Sequence, residues 1–285
     1  MITNLKRQKK IYIANDTRGL NDRYRANLVK LLTGEGYLIL SINLYQLIKL
    51  RFFRRFDEII ISSNLRCNLI TIILFYTNVH LILNGLGRFY KKKAFRIILG
   101  FFMSLGNRKI FIQNYRDFRY FRRYFKINNC EFVLGSGAVS RERGKEVGFF
   151  SISRDNKILL CAEELKDFIE KFNARVKVVG VNKADINFPV DLIGWVDQDC
   201  ILMFGDKFLW LGGYGDGFPH SLADALYNQV ETYISKREYI RLGLYKLNKK
   251  VNKVADWYII IPQDFNELAS NNVNRIYAKG LVLND

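Results

Sequence analysis

Leu211-Gly-Gly-Tyr-Gly-Asp216-Gly-Phe-Pro219-His-Ser-Leu-Ala-Asp224-Ala-Leu226 is the stretch on which the reading of this chain turns. Residues 208–211 before and within it form a short apolar run that reads as a strand. Glycines 212, 213, 215 and 217 then let the backbone turn closely. Pro219 suits the first turn of a helix, where its missing N–H would have been unpaired anyway, and residues 221–227 keep helical spacing. Strand, glycine-rich turn and helix in that order make the βα unit of a doubly wound fold. The free N–H groups of such a helix start suit a phosphate or another anion. Asp216 stands in the turn and Asp224 eight residues on, within the helix. Such a unit can aim both carboxylates at one hydroxyl-rich ligand. Taken alone, the glycine cluster reads first as an ordinary turn with an acid favoured by the helix dipole.

Working outward, the rest of the chain repeats this alternation. Strand-like runs fall at residues 11–14, 37–42, 58–61, 79–83, 109–113 and 131–134. Helical patterns lie at 21–32, 65–75, 92–105 and 115–125. After a linker-like stretch at 135–145, strands are expected at 147–152, 175–179, 190–193, 208–211, 231–234 and 258–261. Helices are expected there at 160–172, 221–227 and 263–279. Short strands alternating with helices imply an α/β chain with largely parallel sheets covered on both faces. The expected architecture is two Rossmann-like domains facing each other across a cleft. They span residues 1–140 and 141–285, the last helix packing back on the first domain.

The 285 residues carry 45 Lys and Arg against 27 Asp and Glu, a net charge of +18. Residues 1–145 hold 28 of the bases and 8 of the acids, a net of +20, which leaves −2 on the remainder. The first half therefore asks for an anionic partner. Hydrophobic residues make up 49% of the chain, which excludes a disordered one. Cys67, Cys130, Cys161 and Cys200 share no C-x-x-C spacing and, with only His80 and His220 beside them, form no zinc set. Free thiols in a reducing compartment are the reading. His80, in an apolar strand, reads as a core residue. Asp197-Gln-Asp199 precedes an apolar run and reads as a loop or helix cap. The charged N-terminus lacks an apolar h-region, and the longest apolar stretch, 67–83, is interrupted at Thr77, Asn78 and His80. Neither a signal peptide nor a membrane span is expected.

Asp216-Gly-Phe-Pro219, four residues, then Asp224-Ala225 resembles the donor-sugar segment of retaining glycosyltransferases of family 4, whose motif runs Glu-Gly-Phe-Pro, four residues, Glu-Ala. Both acids are Asp here, and the family's Gly-x-Pro turn is Asn228-Gln-Val230. Arg154 and Lys157, in Phe149–Lys157, resemble the family's diphosphate-binding pair, which is usually spaced more widely. Leu83-Asn-Gly85-Leu-Gly87-Arg88 and Phe111-Ile-Gln-Asn114 resemble first-domain segments of its bacterial polysaccharide members, and Leu134-Gly-Ser-Gly137 their interdomain turn. The resemblance covers most of the chain, which is shorter than typical relatives.

The resemblance implies a GT-B fold and transfer of a sugar from a nucleotide-sugar donor, with retention, to a saccharide or lipid-linked acceptor in surface-polysaccharide synthesis. It implies Asp216 as the catalytic residue holding the donor sugar and Asp224 accepting from the ribose. Gly215, Gly217, Phe218 and Pro219 would shape the donor site, and Arg154 and Lys157 would meet the diphosphate without metal or cofactor. Gly19, Gly85, Gly87 and Asn114 are the candidates for an acceptor or phosphate loop. Residues 47–56 and 88–103 mix Lys and Arg with large apolar side chains, as in a helix lying on an anionic membrane or, equally, one packed on its own sheet. A cytoplasmic protein, peripheral at the inner face of the membrane, is expected. Two other classes stay open. A glycosyltransferase-like subunit without activity would explain the Glu-to-Asp changes. A nucleic-acid binder would use the Arg and aromatic residues of 115–125, although no recognition motif supports it and no nucleic-acid partner is expected.

Overall fold

The computed structural model describes residues 9–15, 25–54, 58–75, 78–106, 108–212, 215–247 and 250–282. In chain order the elements are β1 (Lys10–Ala14), α1 (Ala26–Gly34), β2 (Leu38–Ile42), α2 (Leu44–Phe53), β3 (Ile59–Ser62), α3 (Leu65–Leu74) and β4 (Val79–Leu83). Next come α4 (Lys93–Ser104), β5 (Arg108–Ile112), α5 (Tyr115–Phe125), β6 (Cys130–Phe132), β7 (Phe149–Ile152), α6 (Asp155–Ile158) and α7 (Ala162–Phe172). The remainder is β8 (Val176–Val179), β9 (Asp191–Ile193), β10 (Lys207–Trp210), α8 (His220–Tyr227), β11 (Glu231–Ser235), α9 (Lys236–Leu242), β12 (Val251–Val254), β13 (Trp257–Ile260) and α10 (Ser270–Val282). They divide into two compact units. Met1–Ser136, Gly215–Phe218 and Ser270–Asp285 form the first; Gly137–Tyr214 and Pro219–Ala269 form the second. The division falls four residues before the 140/141 boundary, and α10 belongs with the first unit.

The first unit has a six-stranded parallel sheet in the order β2-β1-β3-β4-β5-β6. Its strands alternate between two cores. Ala14, Ile60, Leu81 and Ile110 face Leu47 of α2, Ile72 of α3, Met103 of α4 and Phe121 of α5. Ile13, Ile61, Ile82 and Phe111 face Leu28 of α1 and Val273 and Tyr277 of α10. Every residue of β4 is buried, as a central parallel strand covered on both faces requires. Asparagines start three of the covering helices. Asn43 and Gln46 exchange the two bonds of a capping box on α2. Asn64 and Asn114 accept from the backbone N–H groups of Cys67 and Asp117.

Arg108, at the start of β5, went unremarked in the sequence because one arginine in a basic half carries no pattern. It is buried, and its guanidinium donates to the carbonyls of Ile72 and Phe75 at 2.8 and 2.9 Å, and to Phe102 at 2.6 Å and Leu105. One cation thus satisfies the orphan carbonyls at the ends of both α3 and α4, where the helix dipoles also favour positive charge. Arg108→Ala is expected to lose about 2–4 kcal/mol in denaturant melts, with Arg108→Lys recovering part, because those carbonyls are left unpaired.

His80 lies in β4 between Ile61 and Lys109 of the neighbouring strands. It is a core residue, as expected. Burial, with Lys109 and Arg54 adding positive charge, pushes its imidazole from 6.5 down to about 4. The unfolded chain takes up this proton as the pH falls through 6.5, whereas the folded chain waits until about 4. Stability from this group is therefore complete above 6.5 and lost below it. The loss is expected to reach about 2 kcal/mol between pH 7 and pH 5, and urea melts of His80→Gln should lose that slope.

The second unit has a seven-stranded sheet in the order β12-β13-β11-β10-β7-β8-β9. It is parallel from β11 to β9, reversing direction in sequence between β7 and β10. In open sheets of this kind, ligands bind outside the carboxyl ends of the strands at that reversal. Phe168 of α7 packs in one core with Val178, Leu209, Tyr233 and Trp257. The sequence reading missed α9 and β12. The hairpin β12–β13 pairs antiparallel with β11, so this end of the sheet is mixed. The helix expected at 263–279 starts only at Ser270, because Ala138 pairs with Ala269 and donates to the carbonyl of Leu268, holding that backbone extended. Among the described residues no helix is long and apolar enough to cross a membrane. None of the four cysteines is in a disulfide, and burial pushes the Cys130 and Cys161 thiols up to about 12.

Candidate functional site

Within the first unit, the segment Gly215–Phe218 is held by three other stretches that the sequence singled out. The Gly87 N–H donates to the Gly215 carbonyl at 2.9 Å. The Asn114 amide donates to the Asp216 carbonyl at 3.0 Å while its oxygen caps α5. Gly85 has φ +146°, and a Cβ there would lie 2.6 Å from the Gly217 nitrogen and overlap the Gly215 carbonyl. A Cβ on Gly217 would in turn overlap the carbonyl of Asn84. Only glycine permits this backbone-on-backbone approach. Gly85, Gly87, Asn114, Gly215 and Gly217 therefore gather around Asp216. Its backbone is fixed and its side chain is half-buried. The glycines expected to cradle phosphate serve at least this packing.

Around this turn the structure adds Arg25, Ser63 and Tyr277, which carried no sequence signal, and joins them to side chains of the segments already singled out. Arg25 is buried, and donates to Ser136 at 3.2 Å and to the Asn84 side chain at 3.4 Å. Asn84 donates to the Ser63 carbonyl at the end of β3. Gln113 donates to the Tyr277 hydroxyl, which donates to the Gly135 carbonyl. Phe218 is buried, its carbonyl beside Gly135. These contacts join the turn to the carboxyl ends of β3, β4 and β5 and to α10. Gly19 lies outside the described residues.

Asp224 has a different setting, in the second unit. It is 1% exposed. Its Oδ1 accepts from the Val139 N–H at 3.1 Å, and its Oδ2 from Arg141 Nε at 2.9 Å. One turn on, Asn228 accepts from the Arg141 N–H and donates to the Val139 carbonyl. Asp224 and Asn228 thus clamp residues 139–141, within the linker. The ribose role implied for Asp224 meets a carboxylate whose two oxygens already bind the chain itself. Neither Val139 nor Arg141 was singled out, because the linker carries no periodicity that marks a partner. Arg141 also pairs with Asp199, the second acid of the Asp-x-Asp string.

Arg154 follows β7 and stands, exposed, at the N-cap of α6; its carbonyl accepts from the Lys157 and Ile158 N–H groups. Lys157 is half-buried one turn on. Both follow the strand at which the second sheet reverses. Pro219 stands at the N-cap of α8, and no side chain caps that helix. A buried carboxylate cluster that the sequence reading missed lies at the ends of β10 and β11. Glu238 pairs with Arg241 at 2.7 Å, both buried, and a Cβ on Gly212 would overlap Glu238. Desolvation raises the pKa of the neighbouring Glu164. The only trace of this cluster in the sequence is the spacing of Glu238 and Arg241, three apart.

No protein-family model matches the chain, and no curated protein matches it. Among solved structures, the crystal structure of TarM, a wall teichoic acid glycosyltransferase of the GT-B fold, is similar over 84% of this chain, with a TM-score of 0.50 and 12% identity. The chain spans about half the length of TarM, 54% of it. With two sheets that are parallel in the main and covered by helices, the likeness establishes the fold class: two Rossmann-like domains of the GT-B kind.

Proposed function

We propose that the chain is a glycosyltransferase that moves a sugar from a nucleotide-sugar donor to a saccharide or lipid-linked acceptor with retention. The observation that carries this reading is the pinned turn at Asp216. A half-buried carboxylate on a backbone fixed by Asn114, Gly85 and Gly87 is suited to holding sugar hydroxyls in one geometry, and positioning of this kind supplies much of the rate in group transfer. Arg154, Lys157 and the uncapped N–H groups of α8 are assigned to the charge that develops on the leaving diphosphate. Asp224 is assigned a positioning role through the linker clamp. The resemblance in sequence favours surface polysaccharide as the product and the inner face of an anionic membrane as the place of work.

Incubation of the purified chain with UDP-, GDP- and CMP-sugars, followed by release of the nucleotide, tests the reading. Turnover of one donor class is expected, and thermal shifts by the matching nucleotide should accompany it. The enclosure of Asp224 favours one second reading, a glycosyltransferase-like subunit that does not turn over. Nucleotide-induced stabilisation without release across all donors would establish it.

A further inference from the structure

We propose that the outer face of α2, α3 and α4 inserts into the headgroup and acyl boundary of an anionic lipid bilayer. The three helices pack side by side on one face of the first sheet, and Arg108 ties the ends of α3 and α4 together. Helices that pack only on their own sheet keep polar residues outward. These do not. Phe52 and Phe53 of α2 are 79% and 80% exposed, Ile73 of α3 is 53% exposed, and Ile98 and Phe101 of α4 are 56% and 53% exposed. Leu47 is the buried residue of α2. Large apolar side chains exposed on neighbouring helices point to an interaction surface.

Charge selects the occupant. None of the three helices contains Asp or Glu, while Lys49, Arg51, Arg66 and Lys91–Lys93 are exposed on or beside them. A second copy of this face would bring like charges together, whereas anionic headgroups complement them as the phenylalanines and isoleucines enter the acyl boundary. The surface rests on the proposed function only for its purpose, which is to bring a lipid-linked acceptor within reach. Binding can be measured whether or not the chain turns over sugar.

The test is co-sedimentation with vesicles of phosphatidylglycerol and phosphatidylethanolamine, with phosphatidylcholine vesicles as the control. Surface attraction alone is screened within a few ångströms at about 0.5 M salt. Wild type is expected to stay bound to the anionic vesicles there, and the variant Phe52→Ser, Phe53→Ser, Ile98→Ser, Phe101→Ser to bind about tenfold more weakly. Circular dichroism and nucleotide-sugar turnover with a soluble acceptor check that the variant is folded. Should the quadruple variant fail to fold, Phe53→Trp replaces it: enhanced quenching by brominated lipid supports insertion, and none overturns it. Loss of wild-type binding in high salt, or equal binding by a folded variant, would overturn insertion. So would dimerisation of wild type, abolished in the variant, without vesicle binding.

Discussion

Asp216→Ala is expected to fold as wild type does and to lose nucleotide-sugar turnover by about a hundredfold or more, the scale of losing one positioning group in a group-transfer site. The substitution leaves the Asp216 carbonyl and its bond from Asn114 in place. Denaturant melts run beside the assay separate a loss of turnover from a loss of fold. Asp216→Glu is informative in the other direction. It restores the acid of the family motif but, on a backbone that cannot shift, carries the carboxylate one methylene further. Partial turnover is expected. Turnover in Asp216→Ala equal to wild type would remove this residue from the reaction.

Asp224→Ala is expected to behave in the opposite way, losing stability first. It leaves the buried Arg141 guanidinium with only the exposed Asp199 as a counter-charge and the Val139 N–H without its acceptor. Breaking one side of a buried ion pair costs about 3–5 kcal/mol. Arg141→Ala should cost a similar amount. A double variant, Arg141→Met with Asp224→Leu, is expected to recover much of the loss, because it buries apolar groups in place of an unpaired charge. Denaturant melts of the three chains measure this. An Asp224→Ala chain as stable as wild type that has lost nucleotide affinity would restore the ribose role and displace the clamp.

The alternation of short apolar strands with helical patterns was enough to read two doubly wound units, because period and length are local properties of the chain. The elements missed or misplaced were short ones, such as α9 and β12, or were set by tertiary pairing. Residues 251–254 become a strand because β13 pairs with them, and the start of α10 is delayed by the bridge from Ala138 to Ala269. The glycines around Asp216 were also legible as a group of unusual residues. Their reason for being glycine was not.

By itself, then, the amino-acid sequence determined the fold class, the strand–turn–helix unit carrying Asp216 and Asp224, and the separation of charge between the halves. Each follows from neighbours along the chain or from composition. Only the tertiary structure decided that Asp216 sits on a turn locked by Asn84–Gly87 and Asn114, while Asp224 is spent on Val139 and Arg141. The two acids are alike in type and close in sequence. They differ because partners distant along the chain, about a hundred residues away for Asp216 and about eighty-five for Asp224, fold back on them. No local pattern specifies contacts at that separation.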